Sequence, residues 1–273
     1  MGAAADAWKQ QVESHHAQSI RVRGDRPQGD MWSALADNFR DDARRTNDPI
    51  VNLTNQWLTP ETTVIDVGGG AGRYALPFAL ACKHVTVVDP SPAMLKALEG
   101  SAREASIENV SRVEVSWEDA EAEPHDVAFC ANVVYGVTEI VPFLRKLDGV
   151  ARELVALVVY MEAPLSTLSP LWQAVYQEER IELPALPELL PVLWEMGIYP
   201  SVSMMPPRPP RRLPTMEAAL TIARRMLRVD DGSEEGRRLI EAADRLADVT
   251  PEGVTLRQAS PPPGVVWWRK DAP

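Results

Sequence analysis

The stretch that most constrains this chain is Val-Ile-Asp-Val-Gly-Gly-Gly-Ala-Gly-Arg-Tyr at 64–74. A short β-branched run at 62–67 predicts a buried strand, and the glycines that follow leave a loop whose backbone no Cβ shields. A helix is expected next, over 73–81, so the loop presents free N–H groups at a helix start. A dinucleotide fingerprint would place a third glycine where Arg73 stands; the spacing here is Asp66-x-Gly68-x-Gly70-x-Gly72. A nicotinamide dehydrogenase is disfavoured on that ground.

Downstream the pattern alternates. Strands are expected at 84–89, 110–116, 126–131 and 153–160, with helices at 92–104 and 141–148. Ser91 caps the first of these helices and Pro92 occupies its first position. Five strands separated by helices predict an α/β fold with a doubly wound, mostly parallel sheet. Runs at 201–205 and 264–269 complete a seven-stranded Rossmann-like sheet, with Trp267 and Trp268 on opposite faces. Further helices are expected at 170–180, 187–196, 215–228 and 233–247. Upstream, apolar spacing predicts a helix over 31–45, stopped by Asp48 and Pro49, and a short one over 50–57. The implied division is an N-terminal helical lid at 1–60, a core at 61–162, and a C-terminal part at 163–273 with helical insertions on the acceptor side.

A length of 273 residues suits one large domain, and the net charge of −11 would repel a phosphate backbone. Nucleic acid is therefore not expected as a partner. Cys82 and Cys130 lie in apolar stretches without metal-ligand spacing, so they read as small core residues in a reducing compartment, and no metal site is expected. The first residues form no apolar signal core and no run is long enough for a membrane span, so a cytoplasmic protein without membrane contact is expected.

Asp89 ends the strand after the glycine loop, at the offset expected of a carboxylate that binds a ribose diol. With this, the sequence resembles the class I S-adenosylmethionine (SAM)-dependent methyltransferases. Residues 64–72 are similar to the family's first motif, 85–90 to its second, Trp-Glu-Asp-Ala at 117–120 to the segment after the third strand, and 128–135 to that after the fourth. The chain also resembles a bacterial and archaeal small-molecule-type subgroup, through Gly-Arg-Tyr-Ala-Leu-Pro at 72–77, the Trp-Glu-Asp segment and Met-Gly-Ile-Tyr-Pro at 196–200. The resemblance implies SAM as cofactor, with S-adenosylhomocysteine as product. Asp66 would organise the loop and help hold the methionine amino group, with Gly68 and Gly70 against the ligand. Asp89 would bind the ribose hydroxyls, and Pro90, Ser91 and Met94 would shape the adenine pocket. Asp119 or its rival Glu118 would accept from the adenine amino group, with the Ala120 N–H close to the ring. Asn132 would face the methionine end.

Asn132 and Tyr135 have the spacing of the Asn-Pro-Pro-Tyr motif of amide and nucleobase N-methyltransferases, but valines replace both prolines, so that chemistry is disfavoured. The acceptor is expected to be a small molecule, with Trp32, Tyr135 and Glu162 as candidate contacts. The reaction would be an in-line displacement, governed by alignment and exclusion of water. No residue is marked as a catalytic base; His15, His16, Tyr135 and Glu162 are candidates, with the histidine pair expected to be exposed and idle. His84 and His125 read as structural. Two other readings stay open: an RNA or protein methyltransferase, and a non-catalytic SAM-binding sensor or scaffold. Residues 206–212, rich in proline and arginine, read as an exposed connector.

Overall fold

A computed structural model describes residues 2–24, 36–210, 212–256 and 260–270. The chain opens with helix α1 (Ala3–Arg23), a 3-10 turn (Ala36–Phe39) and the short α2 (Pro49–Thr54). The alternating core then follows: β1 (Thr63–Val67), α3 (Ala75–Ala79), β2 (His84–Val88), α4 (Pro92–Ala105), β3 (Val110–Val113), β4 (His125–Ala131), α5 (Ile140–Val150) and β5 (Ala151–Tyr160). The remainder is α6 (Ser169–Tyr176), α7 (Leu186–Glu195), β6 (Ser201–Met204), α8 (Met216–Leu227), α9 (Glu234–Leu246), β7 (Asp248–Thr250), β8 (Gly253–Thr255) and β9 (Pro263–Arg269).

Seven strands form one sheet in the order β3-β2-β1-β4-β5-β9-β6. The first five are mutually parallel, and β9 runs antiparallel between β5 and β6. Strand order reverses between β1 and β4, which opens a crevice at their C-terminal ends, the usual ligand position in such sheets. Thr63 ties the opposite ends of these two strands together, its N–H and hydroxyl both donating to Asp126 at 2.7 and 2.8 Å.

Alternate residues of each strand feed two cores. Val64, Val87, Phe129, Ala156 and Val265 pack with α2, α3 and α4 on one face. Ile65, Val88, Cys130, Leu157 and Val266 pack with α1, α5 and α7 on the other. Trp267 packs at a tilt against Trp57, ring centres 5.3 Å apart, whereas Trp268 faces the opposite core and donates to Asp148. A third core joins α6, α8, α9 and β8, and belongs to the insertion.

Three local expectations are corrected. Residues 3–23 form a long helix that the polar sequence hides, since His15 and Gln18 share its buried stripe with Ala5, Trp8 and Val12. The helix expected over 31–45 shrinks, among the described residues, to the turn Ala36–Phe39. Asp48 and Pro49 start a helix rather than stop one: the Asp48 side chain accepts from the Ile50 N–H, and proline takes the first position of α2.

Candidate active site

β1 ends in the loop that the sequence singles out. Gly68 and Gly70 have φ of +70° and +54°, which side-chain-bearing residues rarely adopt. A Cβ on Gly68 would strike Val133, and one on Gly70 would sit 2.8 Å from the Met94 methyl. The Gly68 N–H donates to the Val88 carbonyl at 2.7 Å, which docks the loop onto the end of β2.

Asp66 lies beneath this loop, 1% exposed, and neither carboxylate oxygen has a hydrogen-bond partner. Burial pushes its pKa up to about 8, the nearby Asp89 adds to the shift, and the Ala75 N–H, which falls short of a full hydrogen bond, offsets it only in part. A Cβ on Gly69 would stand 2.6 Å from its Oδ2, so the loop backbone rests directly on this carboxyl.

Asp89 is held from two sides. Its Oδ2 accepts from the Gly70 N–H at 3.0 Å and its Oδ1 from the Ser91 N–H at 2.9 Å. These bonds fix the orientation of the carboxylate at the rim of the loop. Ser91 caps α4 by accepting from the Met94 N–H, and the buried Met94 closes on Gly70 and Ala71. Pro90 is exposed beside them. The fold thus gathers Asp66, Gly68, Gly70, Asp89, Pro90, Ser91 and Met94 at one corner.

The segment after β3 is a tight turn. Trp117 and Ala120 are buried, while Glu118 and Asp119 are exposed. The Ala120 N–H donates to the Ser116 carbonyl at 3.0 Å, and Asp119 accepts from the Ser116 hydroxyl at 2.8 Å. Lys146 holds the Trp117 and Glu118 carbonyls from α5.

After β4, Asn132 is exposed with φ of +63°, a conformation asparagine tolerates better than most. Its N–H donates to the Val158 carbonyl at 3.0 Å. Tyr135 is buried; its hydroxyl accepts from the Tyr160 N–H at 2.9 Å and donates to Asn132 at 3.4 Å. This tyrosine therefore ties the turn to the end of β5, and burial raises its pKa far above the ordinary range. Glu162 is exposed just beyond β5. Trp32 lies outside the described residues.

His15 departs from the exposed pair expected. It is 6% exposed on α1, bonded to the Ile181 carbonyl at 2.5 Å, and burial drives its pKa down to about 4. His16 is exposed. Cys130 is fully buried, and burial holds its thiol well above the usual range.

A second cluster, invisible in the sequence, braces the loop. Asp48, 4% exposed, pairs with Arg208 at 2.8 Å, Arg45 at 3.1 Å and Arg73 at 3.7 Å. Burial alone would raise the Asp48 carboxyl, but Arg208, Arg45 and Arg73 outweigh it and hold it below its ordinary value. Arg73 also pairs with Asp41, and its carbonyl accepts from Arg45 at 2.7 Å. Arg208 reaches in from the proline-rich segment, which is thus a latch rather than a simple connector. No sequence signal pairs positions 48 and 208, because only the folded sheet brings them together.

Residues 65–153 match a family model described as a methyltransferase domain. No curated protein matches the sequence. Among solved structures, the YcgJ protein of Bacillus subtilis is 15% identical, with a TM-score of 0.53 over 80% of this chain and 95% of its own. A candidate methyltransferase from Bacillus halodurans C-125 is 14% identical, with a TM-score of 0.56 over 81% of this chain and 98% of its own. At such identities the likeness concerns the fold: the shared α/β architecture around the sheet. The chain thus carries a segment, residues 65–153, similar to methyltransferase domains, within an α/β fold that it shares with these structures.

Proposed function

We propose that this protein transfers a methyl group from SAM to a small-molecule acceptor held above the C-terminal ends of β4 and β5. The observation that carries the reading is the buried, unpartnered Asp66 carboxyl beneath a loop stripped of Cβ atoms, with the oriented Asp89 carboxylate at its rim. These residues fit the cofactor, because a close-approach backbone and a diol-accepting carboxylate stand at one corner.

In this reading Asp89 receives the ribose hydroxyls, while Gly68 and Gly70 admit the ligand to the backbone. Pro90 and Met94 wall the adenine, Asp119 or Glu118 takes its amino group, and Ala120 backs the ring. Asp66 acts from below, setting the loop and its field. Asn132 borders the methionine end. When bound, SAM supplies an electrophilic methyl group on a sulfonium. The protein's part is to align the acceptor and keep water out, which can contribute about 7–11 kcal/mol.

Of the four candidate bases, His15 is committed to the Ile181 carbonyl and Tyr135 to the end of β5. Glu162, exposed just beyond the C-terminal end of β5, is the better placed. The segment at 1–60 serves as lid, 61–162 as donor core and 163–273 as acceptor side. Phe39 and Ala36 pack against Ala71 and Met94, which supports the lid. The net charge of −11 favours a small acceptor over nucleic acid, and a cytoplasmic setting suits the two buried free thiols.

Incubation with SAM and either the small-molecule filtrate of a lysate or its retained macromolecules tests this. S-adenosylhomocysteine should form with the filtrate. Formation only with the macromolecules would contradict the acceptor class, and binding without turnover in either would favour the sensor reading.

A further inference from the structure

A second cluster of buried charge lies where α1, α6 and the chain beyond α6 meet. Trp172 is fully buried, and two guanidiniums lie over its indole: Arg23 at 4.5 Å and Arg180 at 5.0 Å from the ring centre. Tyr176 packs on the same indole at 4.6 Å. Arg180 is only 6% exposed, donates to the Leu165 carbonyl at 2.8 Å, and has a buried Nε without a partner. Arg23 donates to the Ser19 hydroxyl at 3.3 Å, and its Nε is likewise buried and unpartnered.

Among the described residues no carboxylate pairs with either guanidinium. Glu182 reaches Arg180 through its field and offsets part of the burial, while its carboxylate accepts from the Ser169 hydroxyl rather than from the guanidinium. The Tyr176 hydroxyl donates to the Leu227 carbonyl at 2.5 Å, and Arg228 adds a further positive charge near Arg23. Burial lowers the pKa of both arginines, that of Arg23 to about 10. Taking a cation out of water without a counter-charge is costly, and contact with an aromatic face returns only part of that cost. Two such cations side by side repel as well.

We propose that Arg23 and Arg180 bind the anionic group, a carboxylate or phosphate, of the small molecule that this protein methylates. The proposal rests on the methyltransferase reading above and narrows its acceptor to an anion. Leu165, which anchors Arg180, lies shortly after Glu162 on the chain leaving β5, so the cations belong to the acceptor side of the sheet. Trp172 and Tyr176 set the guanidiniums in place and offer aromatic surface beside them.

The test measures thermal unfolding in sodium phosphate, sodium benzoate and sodium chloride at equal ionic strength. Phosphate or benzoate should raise the wild-type midpoint by about 2–4 °C over chloride, as expected of a ligand bound only by the folded state. A rise with phosphate alone marks a phosphorylated acceptor, and one with benzoate alone a carboxylate. Arg180→Met should lose the rise; if that variant fails to fold, Arg23→Gln at the more open position carries the same test. No anion-specific rise in wild type, or an equal rise in a folded variant, overturns the proposal. Titration of wild type with S-adenosylhomocysteine reports the donor site separately, so failure there would remove the methyltransferase reading without deciding the anion site.

Discussion

Around Asp48 three guanidiniums converge on one buried carboxylate, and around Trp172 two guanidiniums converge with, among the described residues, no carboxylate in ion-pair contact. Both clusters are built from distant parts of the chain and both are largely dry. The first is balanced and joins the N-terminal segment, the glycine loop and the proline-rich segment. The second has only the field of Glu182 against it, with no ion pair among the described residues. Asp66 is its counterpart with the opposite sign: a carboxyl without partners below the loop. The contrast separates charge paired within the fold from charge that we propose is met by a ligand.

Removing the balanced carboxylate should have the largest effect on stability. Asp48→Ala takes the carboxylate from Arg208, leaves Arg45 and Arg73 with Asp41 alone, and uncaps α2, and should cost about 3–5 kcal/mol in urea unfolding. A loss below about 1 kcal/mol, the value of an ordinary surface pair, would break the comparison. On the donor side, Gly68→Val combines a disfavoured φ with a clash against Val133. It should weaken S-adenosylhomocysteine binding about 100-fold or more, equivalent to about 2.7 kcal/mol or more. Unchanged calorimetric affinity would show that the ligand does not approach this backbone.

Asp66 sharpens the contrast through pH. Its folded-state pKa of about 8 lies above the unfolded value, so the fold binds this proton more tightly. Its contribution to stability is therefore fully present below about pH 4 and is lost as pH rises towards 8. Asp66→Asn should flatten that decline in ligand-free protein and stabilise it at pH 8. A variant less stable than wild type at pH 8 would mean that the ionised carboxylate has partners after all. The smallest effect is expected at Ser91, where Ser91→Ala removes a helix cap and should cost about 1 kcal/mol in thermal or urea unfolding.

The corner proposed for the donor could be assembled from the sequence because its residues are close together in the chain. Strand, glycines and helix cap follow one another, and Asp89 ends the adjacent strand. The parallel strands and α4, α5 and α7 were legible through apolar runs and capping residues. α3 is shorter than the expected 73–81 helix, since the positive φ of Gly72 delays its start to Ala75. The hairpin of β7 and β8 and the helix α1 lacked an apolar signature. In α1 the buried positions at Trp8, Val12, His15 and Gln18 keep helical spacing, but two of them are polar side chains that bond carbonyls of residues 179 and 181. The Asp48 latch and the Trp172 cluster depend on tertiary contacts between residues far apart, which no local pattern records.

The central claim is that the glycine loop and Asp89 form the donor site. Calorimetric titration of wild type and Asp89→Ala with S-adenosylhomocysteine tests it most directly. The account predicts micromolar binding to wild type and a loss of about tenfold or more, at least about 1.4 kcal/mol, in the variant. No binding to folded wild type, or equal binding by both proteins, would contradict it.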